Sequence, residues 1–172
     1  GLKSTIETYT PYGKYHFSGH RNCGVVFSPQ ESQKYNYRCP KCGGKLTIGV
    51  ADRIELLADR VEGYKRENNV PFVSLLPLHE LIAAVYGMSQ LSSKKIWEVY
   101  NSLIKFFGNE FNVLLNIAES ELRKVVHERL ARVIIKNREG QLQVKPGYDG
   151  VYGEVLLNED EKLSSQKKLM DY

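Results

Sequence analysis

The stretch "SGHRNCGVVFSPQESQKYNYRCPKCGGK", residues 18–45, holds all three cysteines of the 172-residue chain. Three thiols cannot all pair as disulfides, and their spacing argues for a metal. Cys39-Pro-Lys-Cys42 followed by Gly43-Gly44 is a knuckle. Two thiolates three positions apart face one ion only where the chain turns tightly between and behind them. Glycine just after the second ligand permits the positive φ of such a turn. His20-Arg-Asn-Cys23, with Gly24 behind it, repeats the pattern with imidazole in place of one thiolate. The resulting H-x2-C-x15-C-x2-C spacing fits a tetrahedral zinc site of the Cys3His type, with His20, Cys23, Cys39 and Cys42 as ligands. Four protein ligands leave no open position, so the expected Zn²⁺ is structural and not catalytic.

Two alternatives stand beside this reading. Cys39 and Cys42 could form a redox pair, but a thioredoxin-like pair needs a βαβ context that is missing here. His16, in "KYHFSGH", could replace His20. Its spacing to Cys23 makes a poor knuckle, and a strand residue beside the site is the preferred role. The small core expected around the knuckles is Tyr15, Phe17, Val25, Val26 and Phe27 with Leu46 and Ile48. So little apolar area does not fold without a staple, so metal binding should be coupled to folding.

The length suits one ordinary domain or two small ones. Apolar content of 42% and charged content of 26% are those of a globular protein. No apolar run of about 18 residues is present to span a membrane. The start, "GLKSTIETYTPYGKY", has no apolar signal-peptide region. The net charge of +4 is unevenly placed. Residues 1–66 carry a net +5, residues 67–120 a net −2, residues 121–145 a net +4 and residues 146–172 a net −3. Two basic blocks separated by an acidic one are two possible contacts for a polyanion, or ordinary surface variation.

Downstream of the knuckles the pattern becomes helical. In "VADRIELLADRVEGY", Val50, Ile54, Leu57, Ala58 and Val61 recur at helical spacing and are expected to face inward. Asp52, Glu55, Asp59 and Glu62 alternate with Arg53 and Arg60 as a solvated outer face. "NNVPFVSLLP" reads as extended. Pro77 opens a helix through "PLHELIAAVYG", with Gly87 as its stop. His79 is expected exposed in its first turn. "SQLSSKKIWEVYNSLIKFFG" is the clearest helix, capped by Ser92 or Ser93. Its buried stripe is Ile96, Trp97, Tyr100, Leu103, Ile104 and Phe107, and Gly108 ends it. "NEFNVLLNI" reads as a short apolar turn or strand.

"SELRKVV" and "HERLARVIIKNREG" read as two helices joined by a turn. Leu130, Val133 and Ile134 point inward. Arg129, Arg132 and Lys136 fall on one exposed face and are candidate DNA contacts within the +4 block. The pair faintly resembles a helix–hairpin–helix, which grips a nucleic-acid phosphate with amides at the second helix's N-terminus. The usual hairpin glycines are absent, and a plain antiparallel pair fits as well. "QLQVKPGYDGVYGEVLL" reads as a hairpin turning at Pro146-Gly147 and Asp149-Gly150, with Tyr148 and Tyr152 available to a partner. The tail, 158–172, is polar and expected loose. No phosphate loop, HExxH or GxSxG motif occurs, and no catalytic residue is assigned.

The sequence therefore predicts an α+β protein. A zinc-ribbon-like module spans 1–49, and a connecting helix and linker span 50–70. A mainly helical DNA-binding domain with a C-terminal hairpin spans 71–157.

Read together, "GKYHFSGHRNCGVVFSP", "YRCPKCGGKLTIGVADRIELLADR", "PFVSLLPLHELIAAVYG", "KKIWEVYNSLIKFFGNEF" and "VKPGYDGVYGEV" resemble the C-terminal half of the endonuclease Q family. The likeness covers residues 13–157 in order. It implies part of a cytoplasmic DNA-repair nuclease that nicks 5′ of deaminated bases, such as deoxyuridine and deoxyinosine, and of abasic sites. Catalysis in that family belongs to an N-terminal PHP domain, which nothing in this chain matches. The likeness and the start at Gly1 make an excised C-terminal portion the expectation, inactive alone. Its implied partners are double-stranded DNA and the PHP domain. From the family only the zinc ligands His20, Cys23, Cys39 and Cys42 carry over. The alternative is a zinc-ribbon module that docks a protein partner without nucleic acid.

Overall fold

Among the described residues every strand of this α+β fold is only three residues long, so the sheet ladders are short. The computed structural model describes residues 2–61 and 63–163. Glu62 and the part of the expected polar tail from 164 onward lie outside the described residues. The described residues form two compact units, one within 2–71 joined by 144–154 and one within 72–143 joined by 155–163.

In the first unit, β1 (Thr5–Glu7) precedes an antiparallel hairpin of β2 (Ser18–His20) and β3 (Val25–Phe27). Ser18 pairs with Phe27 and His20 with Val25. Helix α1 (Pro29–Lys34) follows at once. The sequence reading missed it, although Ser28-Pro29-Gln30-Glu31 spells its start. The Ser28 hydroxyl accepts from the Glu31 amide, and the Glu31 carboxylate accepts from the Ser28 amide. This reciprocal cap satisfies two amides that the first turn would leave open.

Helix α2 (Val50–Leu57) is shorter than expected and faces the other way. Asp52, expected in solvent, is fully buried, whereas Val50, Ile54, Leu57 and Val61 are all more than half exposed. The reason is a hydrogen-bonded node. The Ser18 hydroxyl donates to Asp52 Oδ2 at 2.6 Å and accepts from the Gly49 amide at 2.9 Å. Gly49 sits so close to β2 that a Cβ would lie 2.3 Å from the Phe17 carbonyl carbon. That approach seats the first turn of α2 directly against the backbone entering β2. Around the knuckles the buried core is Val25, Cys39 and Leu46, with Cys23 and Phe27 packed on it. Tyr15 and Ile48, expected there, are about half exposed.

The second unit begins at β4 (Phe72–Ser74) and is mainly helical. Helices α3 (Leu78–Val85), α4 (Lys94–Phe107) and α7 (Glu128–Arg138) carry the core. Helices α5 (Glu110–Leu115) and α6 (Glu119–Leu122) complete it. Leu78, Leu81, Ile82, Ile96, Leu103, Leu130 and Ile134 are fully buried, as the 3.6-residue period requires. The segment expected as a short turn or strand instead forms a helix over Glu110–Leu115, capped by Asn109, whose side chain accepts from the Asn112 amide. Ser93 does precede α4, but its side chain makes no cap bond.

Trp97 departs from the expected buried stripe: it is 41% exposed. Its ring lies between His79, stacked at 5.8 Å, and Tyr100, edge-on at 5.0 Å. His79 is thus half-buried and not exposed. Asn137 on α7 is fully buried and clamps the chain before α3, accepting from the Leu76 amide and donating to the Leu76 carbonyl. Strands β5 (Gln143–Lys145) and β6 (Glu154–Leu156) pair as the expected antiparallel hairpin. Among the described residues no helix is long and apolar enough to cross a membrane.

Candidate metal centre

The four residues singled out by spacing converge. One ligand atom from each of His20, Cys23, Cys39 and Cys42 lies within 4.8 Å of all the others. Cys42 Sγ lies 3.6 Å from His20 Nδ1. The first knuckle is made by β2 ending at His20 and one 3₁₀ turn, Arg21–Cys23, closed by Gly24 at φ 61°. The second closes by two backbone bonds: the Gly43 amide donates to the Cys39 carbonyl and the Cys39 amide to the Gly44 carbonyl, both at 2.8 Å. Gly43 has φ 71°, the left-handed turn expected of that position.

Bonds from flanking residues lock the knuckles. Lys41 Nζ donates to the Cys23 carbonyl at 2.9 Å, tying the second knuckle to the first. Arg38 donates to the Gly43 carbonyl. Burial works to raise the Cys39 thiol, yet the amides of Cys42 and Lys41 bring it down to about 7. The neighbouring Cys42 sulfur, burial and the Cys39 sulfur push Cys23 up to about 11. Three sulfurs this close cannot all ionise without a cation among them. The donor set of three thiolates and one imidazole fits Zn²⁺, with no position left for a substrate. His16 takes no part; it lies in a bend before β2, stacked on Phe17 at 5.0 Å.

The sequence reading did not connect the "PGYDGVYG" segment to this site. Its Asp149 accepts from the Arg21 amide and from the Thr47 hydroxyl, both at 2.6 Å, so one carboxylate spans both sides of the metal loops. Burial opposes ionisation of Asp149, but these two donors, with the charges of Arg21 and His20, hold its carboxyl below the usual range. Tyr148 covers Gly19, where a Cβ would come within 2.4 Å of its ring. Tyr148 is therefore used inside the first unit, whereas Tyr152 remains exposed. The signal was present in the turn residues, but nothing local says what such a turn will lie against.

In the second unit, Arg129, Arg132 and Lys136 share a face of α7 as their spacing predicts, but that face is half-buried. Lys136 pairs with the Glu161 carboxylate, and Arg129 donates to the Lys162 carbonyl. A cavity of about 350 Å³ lies at the N-terminal end of α7, lined in part by Tyr86, Ser102, Arg123, Lys124 and His127. Its basic residues are partly neutralised, since Arg123 pairs with Glu119 and Glu128.

Known proteins resemble this chain in sequence and fold. Residues 77–141 match the family described as the MJ0043 C-terminal domain. The crystal structure of the lesion-specific endonuclease PfuEndoQ from Pyrococcus furiosus has a TM-score of 0.78 and 35% identity, covering 91% of this chain and 38% of that one. Endonuclease Q in complex with a 27-mer duplex bearing an abasic lesion has a TM-score of 0.78 and 32% identity, covering 95% and 40%. Among curated proteins, MJ0043 of Methanocaldococcus jannaschii is 36% identical over 144 residues, and YqxK of Bacillus subtilis 33% over 144. Both of these are uncharacterized. The chain covers 18% and 33% of their lengths, and about two-fifths of the solved structures. The endonuclease Q likeness read from the sequence is present in the fold. It agrees with a C-terminal portion of an endonuclease Q-like protein.

Proposed function

We propose that this chain is the DNA-holding, zinc-stabilised portion of a lesion-specific repair endonuclease, with catalysis supplied by a PHP domain outside it. The observation that carries the reading is the likeness along nearly the whole chain to an endonuclease captured on a lesion-bearing duplex. The substrates proposed are duplexes carrying deoxyuridine, deoxyinosine or an abasic site. The ion proposed for His20, Cys23, Cys39 and Cys42 is Zn²⁺, which supplies cross-linking and no chemistry at the lesion. The chain's own residues position the duplex through basic side chains, Arg129, Arg132 and Lys136 among them.

Fluorescence anisotropy with labelled double-stranded DNA tests this. Weak binding that falls steeply with salt is expected, because phosphate contacts release counterions. Charge reversal at Arg129, Arg132 and Lys136 should weaken it further. Absence of binding at low ionic strength ends the reading.

One observation favours a second reading, a module that docks protein without nucleic acid. The exposed stripe of Val50, Ile54 and Leu57 on α2, with exposed Leu56 beside it, is costly to leave in water. Under this reading the stripe takes up the catalytic domain. Ile54→Asp with Leu57→Asp would abolish association with a separately supplied PHP domain, and wild-type chain would not bind DNA.

A further inference from the structure

Glu161 is a carboxylate with a side chain only 7% exposed, on an otherwise polar terminal segment, and it pairs with α7, a helix carrying Arg129, Arg132, Lys136 and Arg138. Lys136 Nζ pairs with one of its oxygens, and the other accepts from the Asn158 amide at 2.9 Å. Arg129 reaches the same turn through the Lys162 carbonyl. Arg132, between them on α7, adds its charge. Burial would raise the Glu161 carboxyl, yet the Lys136 and Asn158 bonds and the charges of Lys136 and Arg132 hold it below the usual range. A polar cleft of about 90 Å³ runs beside the pair, lined by Lys136, Gln141, Gln143, Asn158 and Glu161 among others. The segment is pinned after the turn as well, where the Leu163 amide donates to the Val85 carbonyl at 2.7 Å.

We infer that Arg129, Arg132 and Lys136 form a site for a nucleic-acid phosphate, and that the chain's own Glu161 occupies it as a competing anion. The inference rests on the DNA-holding reading above and deepens it. Carboxylate and phosphodiester oxygens accept the same charge-assisted bonds from Lys and Arg. Burying an ion pair seldom adds net stability over an apolar pair, so stability alone does not account for Glu161 here. A tethered anion, by contrast, competes at high effective concentration and lowers apparent affinity by the fraction of molecules in which the site is open. The acidic run Glu159-Asp160-Glu161, opened by Asn158, is then a strap over the site, which the incoming backbone must displace.

The test uses labelled double-stranded DNA with the wild-type chain, with Glu161→Gln, and with a chain ending at Leu157. Gln keeps the acceptor for the Asn158 amide and removes the charge. Both variants are expected to bind about tenfold more tightly at low salt, for an open fraction of about a tenth. Their salt dependence should steepen by about one unit per cation freed. Arg132→Gln added to Glu161→Gln should cancel the gain. Equal affinity of wild type and both variants overturns the inference and leaves the DNA-holding reading standing; no binding by any form overturns both. On the unaltered chain, hydrogen exchange at Glu161 and Leu163 should rise when DNA is added. Unchanged or slower exchange there overturns the strap even if the variants fold poorly.

Discussion

Ser18 donates a 2.6 Å hydrogen bond to Asp52, thirty-four residues later, and both side chains are fully buried. This bond sets the direction of α2. An amphipathic helix would normally bury its apolar face, and here a carboxylate takes that place. Ser18→Ala should therefore cost about 1–3 kcal/mol, the usual effect of leaving a buried acceptor unpaired. Urea denaturation of the zinc-loaded protein, followed by a probe in the first unit, measures it. A loss well below 1 kcal/mol would mean that the Gly49 approach alone orients the helix.

Removing the metal should unfold the first unit while the second keeps its helices. Its core of Val25, Cys39 and Leu46 is too small to hold without a cross-link. Structural zinc contributes about 10–16 kcal/mol in small zinc-finger peptides. Elemental analysis should give one equivalent of zinc. Chelation should then release the amide protection of β2 and β3, and helical circular dichroism should fall only by the share of α1 and α2, the two helices of that unit. Retained protection after complete zinc removal would show that the module folds by packing alone.

Asn137→Ala should destabilise the second unit by about 2–4 kcal/mol, since it strands both the amide and the carbonyl of Leu76 away from water. Faster hydrogen exchange at Leu76 would accompany the loss. A change confined to the metal-binding unit would contradict the assignment.

The Glu161 pair predicts a specific acid response. Its carboxyl is held below the ordinary value, so its contribution is complete above about pH 4.3, the unfolded value for glutamate. It disappears as pH falls through the lower folded value. The stability lost between pH 5 and pH 2 should therefore be smaller in Glu161→Gln than in wild type, measured by thermal melting across that range. Identical profiles would mean that Lys136 and Arg132 exert little hold on the carboxylate.

Replacing Asp149 by Ala should weaken zinc retention without removing a ligand. Its two 2.6 Å bonds join Arg21, beside His20 of the candidate quartet, to Thr47 beyond the second knuckle. Outer partners of metal ligands typically carry 10–100-fold in affinity. Competition with a colorimetric chelator gives the number. Unchanged affinity would make Asp149 a fold element only.

The sequence alone determined the quartet His20, Cys23, Cys39 and Cys42 that comes together in the fold, and the helices around Leu81, Leu103 and Leu130. Each rests on short-range rules: knuckle spacing, positive-φ glycines and a repeating apolar stripe. Ser28 and Glu31 were equally legible as a cap and could have located α1. Tertiary structure decided what those rules leave open. Period counting around Val50 and Ile54 gives an apolar face but not the side on which it will lie. Ser18 and Gly49, distant in sequence or pressed against another backbone, settled that. In the same way Asp149 found Arg21 across most of the chain, and Lys136 met Glu161. A side chain's neighbours along the chain fix its turn or helix, whereas its partners in space depend on which distant groups can satisfy its charge once water is excluded.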